Sequence, residues 1–283
     1  MKFWLMVPWT SAEDMIEIAK AADSMGFEGI MGADHGFIPQ SMAADYPYTE
    51  DGKPPITGDM PYPEVWTTIA AMAAVTTRIK FSTGVYVLPL RHPIEVAKAT
   101  GTIARISNNR LILGAGVGWM KEEFDVYGVD FKTRGKRMNE CIEVLQTIWA
   151  GGYVEYHGEI FDFAPLQIAP EPSQPVPIIL GGASKPALRR AGKYAHGWMG
   201  NGNTLDEMPS IFASLNESRA KHGRSDQDFE IILALKDKAS VADLKALEEK
   251  GATATVLGFS DNSVSLQEKI RFLALLDGYM KQF

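Results

Sequence analysis

Eight short apolar runs recur along this chain, and stretches of helical period separate them. The runs are Phe3–Val7, Glu28–Ala33, Ile79–Val87, Arg110–Ala115, Pro177–Gly181, Gly197–Gly200, Phe229–Leu235 and Ala252–Phe259. When a helix carries the chain back after each strand, successive strands lie parallel and the crossovers are right-handed. Eight such units can close on themselves, and a barrel of that kind takes roughly 250 residues. The chain has 283. The sequence therefore predicts an α/β fold, a (β/α)8 TIM barrel forming one domain over residues 1–283. The first helical stretch places Met15, Ile18, Ala19, Ala22 and Met25 on one face. A capping box, Thr10-Ser11-Ala12-Glu13, is expected to open it, and Ser265-Leu266-Gln267-Glu268 is expected to open the last helix in the same way.

Two stretches interrupt the alternation. Gly36–Pro61, after the second strand, is proline-rich and carries Phe37, Tyr46 and Tyr48. A loop of that length is usually a functional lid or disordered. Gly152–Pro175 contains an alternating run around a turn, Tyr153 to Phe163, which reads as a hairpin inserted after a helix over Lys136–Ala150 in the fourth unit.

With 46% hydrophobic and 22% charged residues, the chain can build a large core. A net charge of −7 argues against a nucleic-acid partner, which needs a basic face. The single cysteine, Cys141, lies in a helical pattern as a buried thiol, and no internal disulfide is possible. The N-terminus does not read as a targeting signal and no apolar run is of membrane length, so the expectation is a cytoplasmic protein without a membrane partner. The five histidines (35, 92, 157, 196 and 222) show no metal-binding spacing, so no metal is expected.

Barrel enzymes work at the C-terminal ends of their strands. That rule selects Asp34-His35, the third strand from Gly84 to Arg91, Gly114–Trp119 and Gly181–Ser184. In Gly181-Gly182-Ala183-Ser184, glycines leave a strand and Ser184 begins a helix. This can cradle a phosphate on backbone N–H groups, and it equally describes an ordinary tight turn. Gly114-Ala115-Gly116-Val117-Gly118-Trp119 lacks the third glycine of a dinucleotide fingerprint. Its glycines would let a flat ring lie against the backbone with Trp119 as a wall, or would serve close packing at the rim. Asp34-His35 is the acid/base candidate, because imidazole exchanges protons near neutral pH and a carboxylate can orient it. Glu122 and Glu123 could act near a substrate or simply favour a helix N-terminus, the latter reading weighing more for Glu122. Arg91 is a candidate rim contact for an anion, beside a helix start at Pro93. Lys236 and Lys238, around Asp237, read as a solvated turn.

Together these motifs resemble the luciferase-like monooxygenases and deazaflavin-dependent oxidoreductases. The resemblance rests on Phe81 to Pro93, on Ala104 to Trp119 with Glu123-Phe124 and Gly128, on Arg134 to Glu140, and on Gly181-Gly182-Ala183-Ser184. It covers about the first two-thirds of the chain in order. It implies a non-prolyl cis peptide at Gly84-Val85 backing a ring system, a phosphate turn at Gly181, Gly182, Ala183 and Ser184, and Asp34 and Tyr86 near the cofactor. Gly116, Gly118 and Trp119 would also contact the cofactor, and His35 would be catalytic, with Glu123 as a second catalytic candidate. The sugar-phosphate dehydrogenases that resemble this chain carry a glutamate where Trp119 stands, which argues against sugar-phosphate oxidation here. The pattern is most similar to F420-dependent members, so the expected cofactor is F420, with FMN as the alternative. The expected reaction is hydride transfer with a small organic substrate, apolar or aromatic to judge from the lid. Three alternatives stand beside it: an FMN-dependent monooxygenase using O2, a non-catalytic flavin-binding barrel, and an unrelated phosphate-binding barrel such as an aldolase. The resemblance also implies a homodimer.

Overall fold

The computed structural model describes residues 1–43, 46, 49, 51–236, 239–259 and 264–283. Eight strands form a closed parallel barrel: β1 (Lys2–Met6), β2 (Gly29–Gly32), β3 (Lys80–Thr83), β4 (Leu111–Gly116), β5 (Ile178–Gly181), β6 (Gly197–Met199), β7 (Glu230–Leu233) and β8 (Ala254–Gly258). They pair in chain order; β8 returns to β1 and β3 pairs with β4, leaving no open edge between them. Each expected strand is present, with ends that coincide with or differ by one or two residues from those expected, apart from the third. The third run is split. It breaks after Thr83 at a cis Gly84-Val85 peptide, and a short segment, Tyr86–Val87, then resumes pairing with β4.

Strand alternation sets the packing. Along β1, Phe3 and Leu5 face the surrounding helices, while Trp4 points into the barrel. There Trp4 meets Met31, Ile179, Met199, Ile232 and Ala254, a plug of side chains that fills the interior. Gly29 makes room for it, since a Cβ at that position would lie 2.1 Å from the Trp4 ring.

The helices are α1 (Ala12–Asp23), α2 (Val65–Ala74), α3 (Pro93–Ile106), α4 (Lys121–Val126), α5 (Arg134–Trp149), α6 (Lys185–Tyr194), α7 (Met208–Lys221), α8 (Val241–Glu249) and α9 (Leu266–Met280). The expected box at Ser265 and Glu268 opens α9. The one expected at Thr10 does not form. Ser11 caps α1 by accepting from the Asp14 N–H, and the Thr10 hydroxyl donates to the Pro8 carbonyl instead. The expected hairpin pairs Val154–His157 with Asp162–Leu166. Cys141 is buried in α5, and burial pushes its thiol up to about 12. No described helix is long and apolar enough to cross a membrane.

Candidate active site

The strand ends converge on one cavity of about 620 Å³. Asp34, His35, Gly84, Val85, Gly116, Gly118, Trp119, Gly181, Gly182, Ala183 and Ser184 all line it, so the structure brings these expected residues together. Tyr86 and Glu123 are not among the lining residues. The Tyr86 side chain turns into the core, 4.8 Å from the Trp66 ring and beneath the Arg91 guanidinium, and burial pushes its phenol up to about 12. Glu123, 1% exposed, acts through His35: its Oε2 lies 2.9 Å from His35 Nδ1 and its Oε1 accepts from the Gly36 N–H at 2.7 Å. With Nδ1 held, the ring's Nε2 has no partner among the described residues.

Asp34 is set back from the reacting groups. Its Oδ2 accepts from the Val87 N–H at 2.9 Å and its Oδ1 meets Arg91 Nη2 at 2.7 Å. Burial pushes the Asp34 carboxyl upward, against the pull of Arg91 and the Val87 N–H. Arg91, expected as a rim contact for a bound anion, is committed to this carboxylate. Pro93 opens α3 and His92 caps it.

The floor is Val85, which stands between two glycines. A Cβ on Gly116 would lie 2.6 Å from its Cγ2, and one on Gly181 would lie 3.0 Å from its Cγ1. The glycines from Gly114 to Gly118 therefore make room for neighbouring parts of the chain. A Cβ at Gly114 would overlap the Thr83 carbonyl, and one at Gly118 would crowd Val87 and Phe124. The β5 turn is different. Gly182 takes φ +101, which other residues rarely adopt. The buried Trp198 indole donates to its carbonyl at 2.8 Å, and Ser184 caps α6 with Pro186 in the first turn. The N–H groups of Ala183 and Ser184 donate to no other described residue. They stand at a helix N-terminus and beside the cavity, which is the arrangement that favours an anion.

Sequence reasoning assigned no role to Arg134, the first residue of α5, although it lines the cavity. Its Nη1 donates to the Phe131 carbonyl at 2.7 Å and its guanidinium lies 3.7 Å from the Phe131 ring centre, yet its Nε is buried without a partner. Burial pushes its pKa down. A signal was available: a cation in a helix's first turn opposes the macrodipole and needs another reason to be there. Asn201, at the end of β6, is a further unanticipated lining residue.

The loop after β2 forms the roof. Tyr46, Pro54, Pro55, Ile56 and Tyr62 face the cavity, and the described residues between β2 and α2 contain no helix or strand. Tyr46 lies 4.9 Å from the Trp119 ring, edge-on. Phe37 is directed elsewhere, stacking on Tyr127. Two carboxylates at the start of α4 tie the loop down, since Ala43 N–H donates to Glu122 and Gly36 N–H to Glu123. Glu122 is thus more than a helix-start acid. Tyr48, Asp237 and Lys238 lie outside the described residues. Lys236 N–H donates to the Asn203 carbonyl.

A profile described as luciferase-like monooxygenase matches residues 1–262. The chain belongs to the luciferase-like monooxygenase family. An uncharacterized protein of Mycobacterium tuberculosis is 37% identical over 281 residues, covering 97% of each chain. An F420-dependent glucose-6-phosphate dehydrogenase of Amycolatopsis mediterranei is 26% identical over 270 residues, covering 92% of this chain and 76% of that one. Among solved structures, the monooxygenase RslO1 from Streptomyces bottropensis superposes with a TM-score of 0.79 at 18% identity, covering 98% of both chains. The coenzyme F420-dependent tetrahydromethanopterin reductase from Methanopyrus kandleri gives 0.75 at 17% identity, covering 96% of both. These superpositions establish the shared barrel. As a member of this family, the chain is an oxidoreductase or monooxygenase.

Proposed function

We propose that this luciferase-like protein binds F420 and transfers hydride between it and a small organic substrate, with His35 moving the accompanying proton. The observation that carries the reading is the joining of two devices in one cavity. One is a histidine with Nδ1 fixed and Nε2 unpartnered; the other is an anion cradle built from the β5 turn and Arg134. The cavity falls within the size range of cofactor and ligand sites, roughly 300–1,000 Å³. Ala183 N–H, Ser184 N–H and the buried Arg134 Nε would hold the cofactor's phosphate, and Val85 would back its ring. F420 is preferred over FMN because Asp34-His35, Gly118-Trp119 and Glu123-Phe124 are most similar to F420-dependent members, and the glucose-6-phosphate dehydrogenase relative points the same way.

Bound there, the deazaflavin supplies or accepts a hydride at a substrate carbon. The chain's own work is then positional. Glu123 selects the tautomer and plane of His35, Asp34 and Arg91 brace the segment after Val85, and the loop from Gly36 onward shields the cavity from water. His35 Nε2 gives up or takes the proton at the substrate heteroatom.

Quenching of tryptophan fluorescence on titration with F420 and with FMN tests the reading. Tighter binding of F420 supports it. Tighter FMN binding with O2-dependent turnover replaces it with a flavin monooxygenase, binding without turnover under any oxidant leaves a carrier barrel, and binding of neither removes the function. Arg134→Gln is expected to weaken FMN binding roughly tenfold while leaving riboflavin, which lacks the phosphate, nearly unaffected. Equal losses for both would dismiss the cradle.

A further inference from the structure

Around His35 the cavity is walled by rings and apolar side chains. Trp119 stands edge-on at 5.8 Å between ring centres and Tyr62 at 5.5 Å, with Tyr46 against Trp119 and Pro54, Pro55 and Ile56 beside them. Burial pushes the Tyr62 phenol well above its ordinary value, so it is a neutral wall. The charges nearby are already engaged. Asp34 is bound to Arg91 and the Val87 N–H, and both oxygens of Glu123 are used by His35 and Gly36. Among the described lining residues, Arg134 is the remaining charged side chain apart from His35 itself, and the cofactor phosphate takes it in the reading above.

A substrate entering this chamber beside His35 meets largely flat apolar surfaces and the unpartnered Nε2 of that histidine. Edge-to-face and stacked ring contacts reward an aromatic guest beyond its buried area. A phosphate or carboxylate would lose its hydration with no cation to replace it, at a cost of several kcal/mol. We infer that the substrate is an uncharged, flat, aromatic or conjugated molecule with one polar heteroatom for His35, and that Trp119 is the residue that enforces this choice. The inference rests on the function proposed above. It separates this chain from the glucose-6-phosphate dehydrogenase relative, whose named substrate is a charged polyol.

Calorimetry on the full chain, saturated with whichever flavin binds, tests it with three probes: 2-naphthaldehyde, 6-formyl-2-naphthoate and glucose 6-phosphate. The neutral aldehyde is expected to bind at least roughly tenfold more tightly than its carboxylated counterpart, with no measurable binding of the sugar phosphate. Trp119→Ala is expected to weaken naphthaldehyde binding by about tenfold. Preference for either charged probe, or no binding of the neutral one, overturns the proposal while cofactor binding stands. Unchanged affinity in Trp119→Ala overturns the role of that residue. If neither flavin binds, the function above fails first and this inference falls with it.

Discussion

The two rims of the barrel differ in how completely their charged side chains are satisfied. At the lower rim, where helices lead into strands, Arg110 is saturated: its Nε donates to the Ser107 carbonyl, Nη1 to Thr76 Oγ1 and the Ile79 carbonyl, and Nη2 to the carbonyls of Ala73 and Thr76. Arg78 similarly serves the carbonyls of Asp23, Phe27, Ala22 and Met25. The Asp23 carboxylate collects the N–H groups of Thr77, Arg78 and Ile79. Every group there closes a turn. At the upper rim His35 has one nitrogen secured and one free, and Arg134 has a buried donor with nothing to bind. Saturated groups hold a shape, and unsaturated ones beside a cavity keep hydrogen-bonding capacity in reserve.

Four measurements can break or sharpen that contrast. His35→Ala is expected to lower kcat by roughly 10²–10⁴ while cofactor affinity changes little, and equal losses in both would make His35 a mere packing residue. Arg110→Ala should cost about 3 kcal/mol in urea unfolding, since several carbonyls lose their donor, yet leave kcat of the folded fraction intact. A catalytic defect there would erase the division between the rims. Glu123→Gln should reduce kcat by about 10²-fold through a misaligned imidazole and displace the pH–rate profile. An unmoved profile with normal kcat would show that the ring needs no fixing. The smallest effect concerns Asp23. Burial alone would raise its carboxyl, but the three N–H groups and the Thr77 hydroxyl hold it below its ordinary 3.8. The unfolded chain then binds the proton more readily, so this network stabilises above about pH 3.8 and its contribution disappears as pH falls through the lower folded value. Asp23→Asn should therefore flatten the loss of stability as pH falls below about 3.8, and an equally steep loss would exclude the network as its source.

Much of the upper rim was readable from local pattern. Strand ends marked by glycines located Gly84, Gly116, Gly181 and Gly182, because a chain position beside a cavity is set by strand order alone. Pairings between distant segments were not readable. Nothing in the sequence ties Arg91 to Asp34, 57 residues apart, or Glu123 to Gly36, 87 apart. The cis Gly84-Val85 bond that breaks the third strand is implied by the family resemblance, whereas the capping of α1 by Ser11 instead of Thr10 depends on backbone angles that neighbouring residue types leave undecided. The sequence lets the glycines from Gly114 to Gly118 serve either a flat ring or close packing, and their lack of a Cβ makes room for Val85 and Val87.

One carboxylate, that of Glu123, fastens both the imidazole and the first amide of the roof. A displacement of the roof at Gly36 would therefore be felt by the same carboxylate that orients His35.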